Sequence, residues 1–428
     1  MSTPHDPILP NLAPHIAAKT ETPSVSMVTR VPVFENDRRV WGYDLLLSDH
    51  ESAAGEGAST ATSDAQAAAL SNAFALLLPF MGKDEKLVLP FNEDLLLNNT
   101  AGMFPAAICA INLFGPIKNA AAVRAALSEL KENGYFIEIS CSRSTPDLAQ
   151  FLPLAKIARV DIQEFEPDEL KLTVNYLKGQ NIELLAENVT PKNIALCSEL
   201  GFKYLQGDIH THKALPAGKN FSSSQVIKTK LLKTISEPEW ELRQVAELIR
   251  IDVSLSYRLL RYLNSAYFSL PGAITSIESS VVLLGQLGLK QWIYLTIFSD
   301  FGVGPLAKHI ISTAAFRGKF LELLAGDSAQ ETPPQETLFM LGLFSMLEAL
   351  LNMPLEEIGH EIKIDEEIIR TLQGKDTKYQ PWFSLLLNYE RGQWDSLRAQ
   401  AADLGLALHD ISSAYAKAMA WVAGLFGK

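Results

Sequence analysis

Between residues 27 and 215, apolar positions come in short runs separated by polar punctuation and by stretches at helical spacing. Short bounded apolar runs of this kind read as strands. Eight are predicted: 27–34, 40–47, 86–91, 107–113, 135–140, 157–162, 182–187 and 204–206. The first two flank the polar turn Glu35-Asn36-Asp37 and read as a hairpin. Thereafter strand, helix and strand alternate, which implies parallel pairing through crossover helices. The helix over 120–130 has Asn119 as its cap and Asn133-Gly134 as its exit. Thr190-Pro191 offers a cap followed by a proline at the first helical position, with Gly201 after that helix. So many strands in so short a chain suggest a compact barrel, with an open doubly wound sheet as the alternative.

The pattern then changes. Ala217-Gly218-Lys219-Asn220 and Ser222 to Ser224 read as a linker, and beyond them helical periodicity takes over. Helices are predicted over 241–250, 253–264, 279–299, 306–324, 336–350, 365–372, 381–390, 394–404 and 409–426. Asp252 and Ser236 read as N-caps, and Thr275 with Glu278 has the spacing of a capping box. Leu231, Ile235, Val245, Leu248 and Ile249 share a face, as do Leu259, Leu263 and Tyr267, and most of these belong in a core. Trp292, Tyr262 and Phe268 are candidates for an exposed patch. The predicted organisation is a tail over 1–26, an α/β barrel over 27–215, a linker over 216–224 and an all-helical domain over 225–428.

Composition narrows the function. The chain has 428 residues, 47% hydrophobic and 20% charged, enough for sizeable cores. A net charge of -12 disfavours binding to nucleic acid or to anionic membranes. Cys109, Cys141 and Cys197 form no CxxC pair, which argues against structural zinc or a disulfide framework and fits a reducing, cytoplasmic setting. The N-terminal stretch lacks the pattern of a secretory signal. The apolar run over 338–355 contains Glu348 and ends at Pro354, so it reads as a buried helix and not a membrane span.

Familiar catalytic motifs are missing. No P-loop or GxSxG elbow is present, and His360-Glu361 lacks the second histidine of HExxH. His210 and His212 could offer two metal ligands, but such a pair after a strand is more often polar surface.

Longer segments carry a resemblance. MVTRVPVFENDRRVWGYDLLLS resembles the opening of EAL domains, which hydrolyse cyclic di-GMP, and LAENV at 185–189 and LGFKYLQGD at 200–208 resemble that family's closing motifs. SEPEWELRQVAELIRIDVSLSYRLLRYLNSAYF and AITSIESSVVLLGQLGLKQWIYL resemble the HDOD domain, a relative of HD-type phosphohydrolases. An EAL-type modified TIM-like barrel followed by an all-helical HDOD domain resembles a bacterial signalling architecture. The resemblance implies two divalent metals held by carboxylates and an asparagine at the C-terminal mouth of the barrel. In this chain the naming glutamate falls on Asp44, the asparagine near Pro90 with Asn92 close by, and the third-strand glutamate near Ala110. The Asp-Asp pair of a segment resembling GYxxALDDF falls on Ser140-Cys141, and the catalytic lysine on Arg159. Asp161, Glu187 and Gln206 match. In the helical half, Ser345-Met346 stands where HD-type enzymes carry His-Asp.

A hydroxyl and a thiol cannot balance two dications, and an arginine does not readily release its proton. The expected protein therefore has no catalytic residues, no metal and no cofactor, and acts as a regulator that docks other signalling proteins through its HDOD domain. Asp44, Asp161, Glu187 and Gln206 either brace the barrel-mouth loops or line a pocket that binds cyclic di-GMP or a related nucleotide without cutting it. Neither nucleic acid nor membrane is an expected partner, and a homo-oligomer is left open.

Overall fold

The computed structural model describes residues 27–48, 63–143, 146–209, 223–237, 239–265, 267–301, 305–327, 332–351, 353–362 and 364–426. The expected tail, His210, His212 and the linker positions up to 222 lie outside these residues. Strands β1 (Val28–Glu35), β2 (Val40–Leu47), β3 (Lys86–Phe91), β4 (Cys109–Leu113), β5 (Phe136–Ser140), β6 (Ile157–Asp161), β7 (Glu183–Val189) and β8 (Tyr204–Gly207) close into a barrel in chain order. β1 and β2 form the expected antiparallel hairpin, and β2 through β8 run parallel to their neighbours. β8 returns antiparallel to β1 through Phe34 opposite Leu205 and Glu35 opposite Tyr204. The open-sheet alternative does not hold, because this last pairing satisfies the two edges that an open sheet would leave.

Alternation along the strands sets what the barrel encloses. Val33, Ile157, Leu185 and Tyr204 form a buried apolar layer inside it, with Trp41 packed against them. Side chains two apart on a strand share a face. Two residues beyond that layer, the same inner face of β6, β7 and β8 therefore presents Arg159, Glu187 and Gln206.

Local chemistry explains where the observed elements depart from expectation. Asn119 caps the Ala120–Glu132 helix by accepting from Ala122 N at 3.1 Å, and Gly134 leaves it at φ 85. Thr190 does not cap a helix. Its N–H donates to Asn193 Oδ1 at 2.7 Å in a tight turn, and the helix starts later, at Ile194–Glu199. Ser223 and Ser224 already belong to the Ser223–Ser236 helix, and Ser236 ends it, its hydroxyl donating back to Leu232 O at 2.7 Å. Asp252 does cap Val253–Leu263. The Thr275–Glu278 box is replaced by Ser276, which accepts from Ser279 N at 3.0 Å, because Glu278 is drawn to Arg250 at 2.9 Å.

The predicted helix over 336–350 is two helices, Gln335–Phe344 and Leu347–Leu351, broken at Ser345-Met346. Among the described residues one stretch, Ile277–Asp300, is long and apolar enough to cross a membrane, yet 56% of its apolar 18-residue window is buried and its backbone turns sharply at Gly285 (φ 66, ψ −178). Gly318 and Gly342 let the Pro305–Asp327 and Gln335–Phe344 helices touch: a Cβ on Gly342 would lie 2.4 Å from the Arg317 carbonyl carbon. The proposed exposed patch is not exposed. Trp292 and Tyr262 are 3% and 5% accessible, Tyr262 OH accepts from Trp421 Nε1 at 2.9 Å, and Phe268 packs on the core.

The last helices bind the two halves together. The Gln380–Glu390 and Leu408–Phe426 helices pack on the long Pro305–Asp327 helix, and the first also lies along β1. There Tyr389 OH donates to Val28 O at 2.9 Å in a buried contact, and Phe34 meets His309 edge to face at 5.1 Å. Removing one buried donor leaves its acceptor unsatisfied, at a cost of about 1–3 kcal/mol. Tyr389→Phe is expected to lower unfolding free energy by that amount in urea titration. An unchanged midpoint would show that the bond is not holding the seam.

Candidate functional site

The mouth of the barrel is organised around one cation. Arg159, only 3% accessible, points from β6 into the barrel. Its Nε donates to Glu187 Oε1 at 3.0 Å, and its NH1 donates to Asp44 Oδ1 at 3.0 Å and Glu138 Oε2 at 2.6 Å. Its NH2 donates to Glu187 Oε1 at 2.7 Å, to Gln206 Oε1 at 3.1 Å and to Asp44 Oδ2. Gln206 Nε2 closes the ring by donating to Asp44 Oδ2 at 2.6 Å. A guanidinium has five N–H donors in a fixed fork, and here every donor nitrogen finds an anionic partner.

Three of the sequence-predicted residues, Asp44, Glu187 and Gln206, thus converge on a fourth, Arg159. Asp161 does not join them. Its Oδ2 accepts from Asn188 Nδ2 at 2.7 Å and its Oδ1 from Gln163 N at 2.9 Å, so it ties two mouth loops together. Asn92 is also spent elsewhere, accepting from Leu95 N at 2.9 Å as a helix cap and donating to Gln66 Oε1 at 3.0 Å. Pro90 and Ala110 line β3 and β4 without side-chain polar groups. Ser140 ends β5, and Cys141 beyond it donates its backbone N–H to Arg159 O at 2.6 Å, its thiol pushed up by burial.

Glu138 is the residue that sequence reasoning missed. It is fully buried, stands on β5 where GYxxALDDF has its alanine, and pairs in register with Asn112 of β4. The available signal was an acid inside the apolar run Phe136-Ile137-Glu138-Ile139, since a charge at a buried strand position requires a partner. Glu138 Oε1 and Asn112 Oδ1 are buried with no hydrogen-bond partner. Burial pushes the Glu138 carboxyl up to about 7; Asp44 and Glu187 add to the rise while Arg159 pulls against it. Burial also works against the charge of Arg159, but Asp44, Glu187 and Glu138 together outweigh it and hold its proton well above the ordinary range.

Two divalent ions do not fit this arrangement. The oxygens that would bind them already surround a guanidinium, and no group among the described residues is placed to hold a metal. The helical half has a parallel. Arg317 NH1 lies 3.0 Å from Ser345 Oγ and 3.2 Å from Met346 Sδ, while its Nε and NH2 make a bidentate pair with Glu390 at 2.9 and 2.7 Å. Ser345 Oγ donates to Gly342 O at 2.7 Å, and Met346 is buried. The Arg317–Glu390 pair, also unforeseen, joins the Ser345-Met346 corner to the helix that lies along β1.

The pH consequence has a definite sign. Folded Glu138 ionises near 7 against an ordinary 4.5, so the folded chain holds that proton more tightly. Stability contributed by Glu138 is full below about 4.5 and is lost as pH rises to about 7. Melting temperature is expected to fall across that window, with the fall reduced in Glu138→Gln. Equal slopes in both proteins would refute the assignment. Arg159→Met, which strands buried carboxylates, is expected to cost about 3–5 kcal/mol at neutral pH by denaturant titration; a loss under 1 kcal/mol would contradict the network's role.

Comparison with known proteins agrees with this layout. The HDOD domain family model matches residues 223–353. The chain is similar to YuxH of Bacillus subtilis (strain 168), 27% identical over 408 residues, covering 92% of this chain and 97% of that protein. It is also similar to the protein named cyclic di-GMP phosphodiesterase CdgJ of Vibrio cholerae serotype O1, 23% identical over 404 residues, covering 94% and 93%. Among solved structures, an EAL domain protein from Listeria monocytogenes EGD-e aligns at TM-score 0.36 and 11% identity, covering 42% of this chain and 85% of that one. A standalone EAL protein from Vibrio cholerae O395 aligns at TM-score 0.35 and 17% identity, covering 44% and 91%. The chain thus joins a closed eight-stranded barrel to a helical half whose residues 223–353 match the HDOD domain family model.

Proposed function

We propose that this chain works in cyclic di-GMP signalling as a non-catalytic regulator, its barrel serving as scaffold or sensor and its HDOD domain docking other signalling proteins. The observation that carries this reading is the guanidinium of Arg159 among Asp44, Glu138, Glu187 and Gln206. Phosphodiester hydrolysis by paired metals needs a bound water made acidic and a dication to absorb phosphoryl charge. Arg159 offers no open coordination position and holds its proton too tightly to serve as a base.

The docking role is supported by apolar exposure in the HDOD segment. Ile251, Val253, Tyr257, Val282 and Leu283 stand 67%, 81%, 64%, 71% and 46% accessible. A second reading is a receptor that binds cyclic di-GMP without hydrolysing it. Its nucleotide is supported by the name of cyclic di-GMP phosphodiesterase CdgJ, which aligns over nearly the whole chain; that name also states hydrolysis, and the assay below tests it.

Purified protein with cyclic di-GMP and Mg2+ or Mn2+ is expected to release no linear product above a protein-free control. Hydrolysis that disappears in Asp44→Ala would overturn the proposal. Calorimetric titration with cyclic di-GMP separates the two readings: measurable heat with no product supports the receptor, and a flat titration supports the scaffold.

A further inference from the structure

We infer that the apolar face formed by Ile251, Val253, Tyr257, Val282 and Leu283 is a self-association surface, on which two copies of this chain meet about a two-fold axis. The inference rests on the docking reading above and names a partner for that face.

The face is continuous and rigid. Ile251 ends the Leu242–Ile251 helix and Val253 opens the Val253–Leu263 helix, so the two project from one corner, with Tyr257 a turn further on. Beside that corner Arg250 pairs with Glu278 at 2.9 Å, and Val282 stands one turn after Glu278 on the Ile277–Phe301 helix. Residues four apart on a helix share a face, so this ion pair joins the corner to Val282 and Leu283. Asp252 fixes the corner by accepting from Ser254 N at 2.9 Å and Leu255 N at 3.1 Å. Just past the bend at Gly285, Gln286 Nε2 donates to Trp240 O at 2.9 Å and ties the two helices again. A surface whose backbone is already fixed loses little entropy when a partner docks. Five of the 13 large hydrophobic residues exposed among the described residues lie here, and such a cluster marks an interface where single ones do not.

Charge selects the occupant. The whole chain carries a net charge of -12, so two copies repel over most of their surface. From 241 to 283 the charges cancel, four arginines standing against four acidic residues with no lysine. Two exposed pairs of opposite sign, Arg243–Glu247 at 3.7 Å and Arg250–Glu278, lie along the face. A two-fold contact presents one patch to itself, so each arginine there faces a carboxylate of the other copy and each carboxylate an arginine. A strongly acidic or strongly basic partner finds no complementary field on this face, whereas a second copy does.

Sedimentation velocity on the full chain across a dilution series tests the inference. Wild type is expected to form a dimer that dissociates on dilution. Val253→Glu/Val282→Glu places four new carboxylates in the two-fold contact and is expected to weaken the dimer at least tenfold. Both side chains are more than two-thirds exposed, so the variant's circular dichroism is expected to match wild type. If it does not fold, Tyr257→Ser on the same face is expected to weaken the dimer at least threefold. A wild type still monomeric at on the order of 100 µM, or a dimer that the folded variant leaves intact, overturns the inference. A pull-down from lysate of the source cells separates it from the reading beneath. A monomer that captures another protein, with capture lost in the double variant, overturns the inference and keeps the docking reading; a monomer that captures none overturns both.

Discussion

One buried guanidinium governs the barrel. Burying a charge is costly unless partners compensate it, and Arg159 is compensated by three carboxylates and a carboxamide drawn from four strands. That requirement fixes the inward register of β2, β5, β7 and β8, since a one-residue slip would carry each partner to the other face. It also sets the chemistry. The inward oxygens of Asp44, Glu187 and Gln206 surround a cation that belongs to the chain.

The second half follows the same logic with a smaller network. Close helix approach at Gly318 and Gly342 brings Arg317 beside Ser345 and Met346, and its bidentate pair with Glu390 reaches the helix that lies along β1. One residue before Glu390, Tyr389 bonds the barrel backbone. The corner where HD-type metal ligands would stand therefore connects through two adjacent residues to the barrel wall. Two helices of this seam, Gln380–Glu390 and Leu408–Phe426, lie beyond the segment matched by the HDOD family, which ends at residue 353, while the Pro305–Asp327 helix, with His309 against Phe34, lies within it. They read as a clasp that fixes the two halves, with β2 supplying Asp44 to the charge network and Leu46 to the seam near Gly392.

Much of the fold was legible in the sequence. Strand positions emerged from apolar runs, because parallel barrel strands are buried on both faces and stand out from amphipathic helices. Asp44, Glu187, Gln206 and Arg159 were found through motif resemblance. What stayed hidden was three-dimensional. Asp161 looked equivalent to its neighbours, but a strand end can turn its side chain to a loop, and Asn188 captures it. Glu138 was passed over because the motif has no acid there, and its significance depends on Arg159 across the barrel. Tyr262 and Trp292 looked like surface aromatics because spacing alone does not say which flank of an all-helical domain a neighbour covers. The caps at Ser236, Thr275 and Thr190 failed for a local reason: serine and threonine serve helix starts, helix ends and turns equally well.

The central claim is that a side chain of the protein occupies the position where a metal centre would sit. Anomalous diffraction at the manganese edge, from wild-type crystals grown with MnCl2, tests it directly. The account predicts no anomalous peak inside the barrel and continuous density for Arg159 between Asp44, Glu138 and Glu187. A manganese peak among those carboxylates, with Arg159 displaced, would contradict it.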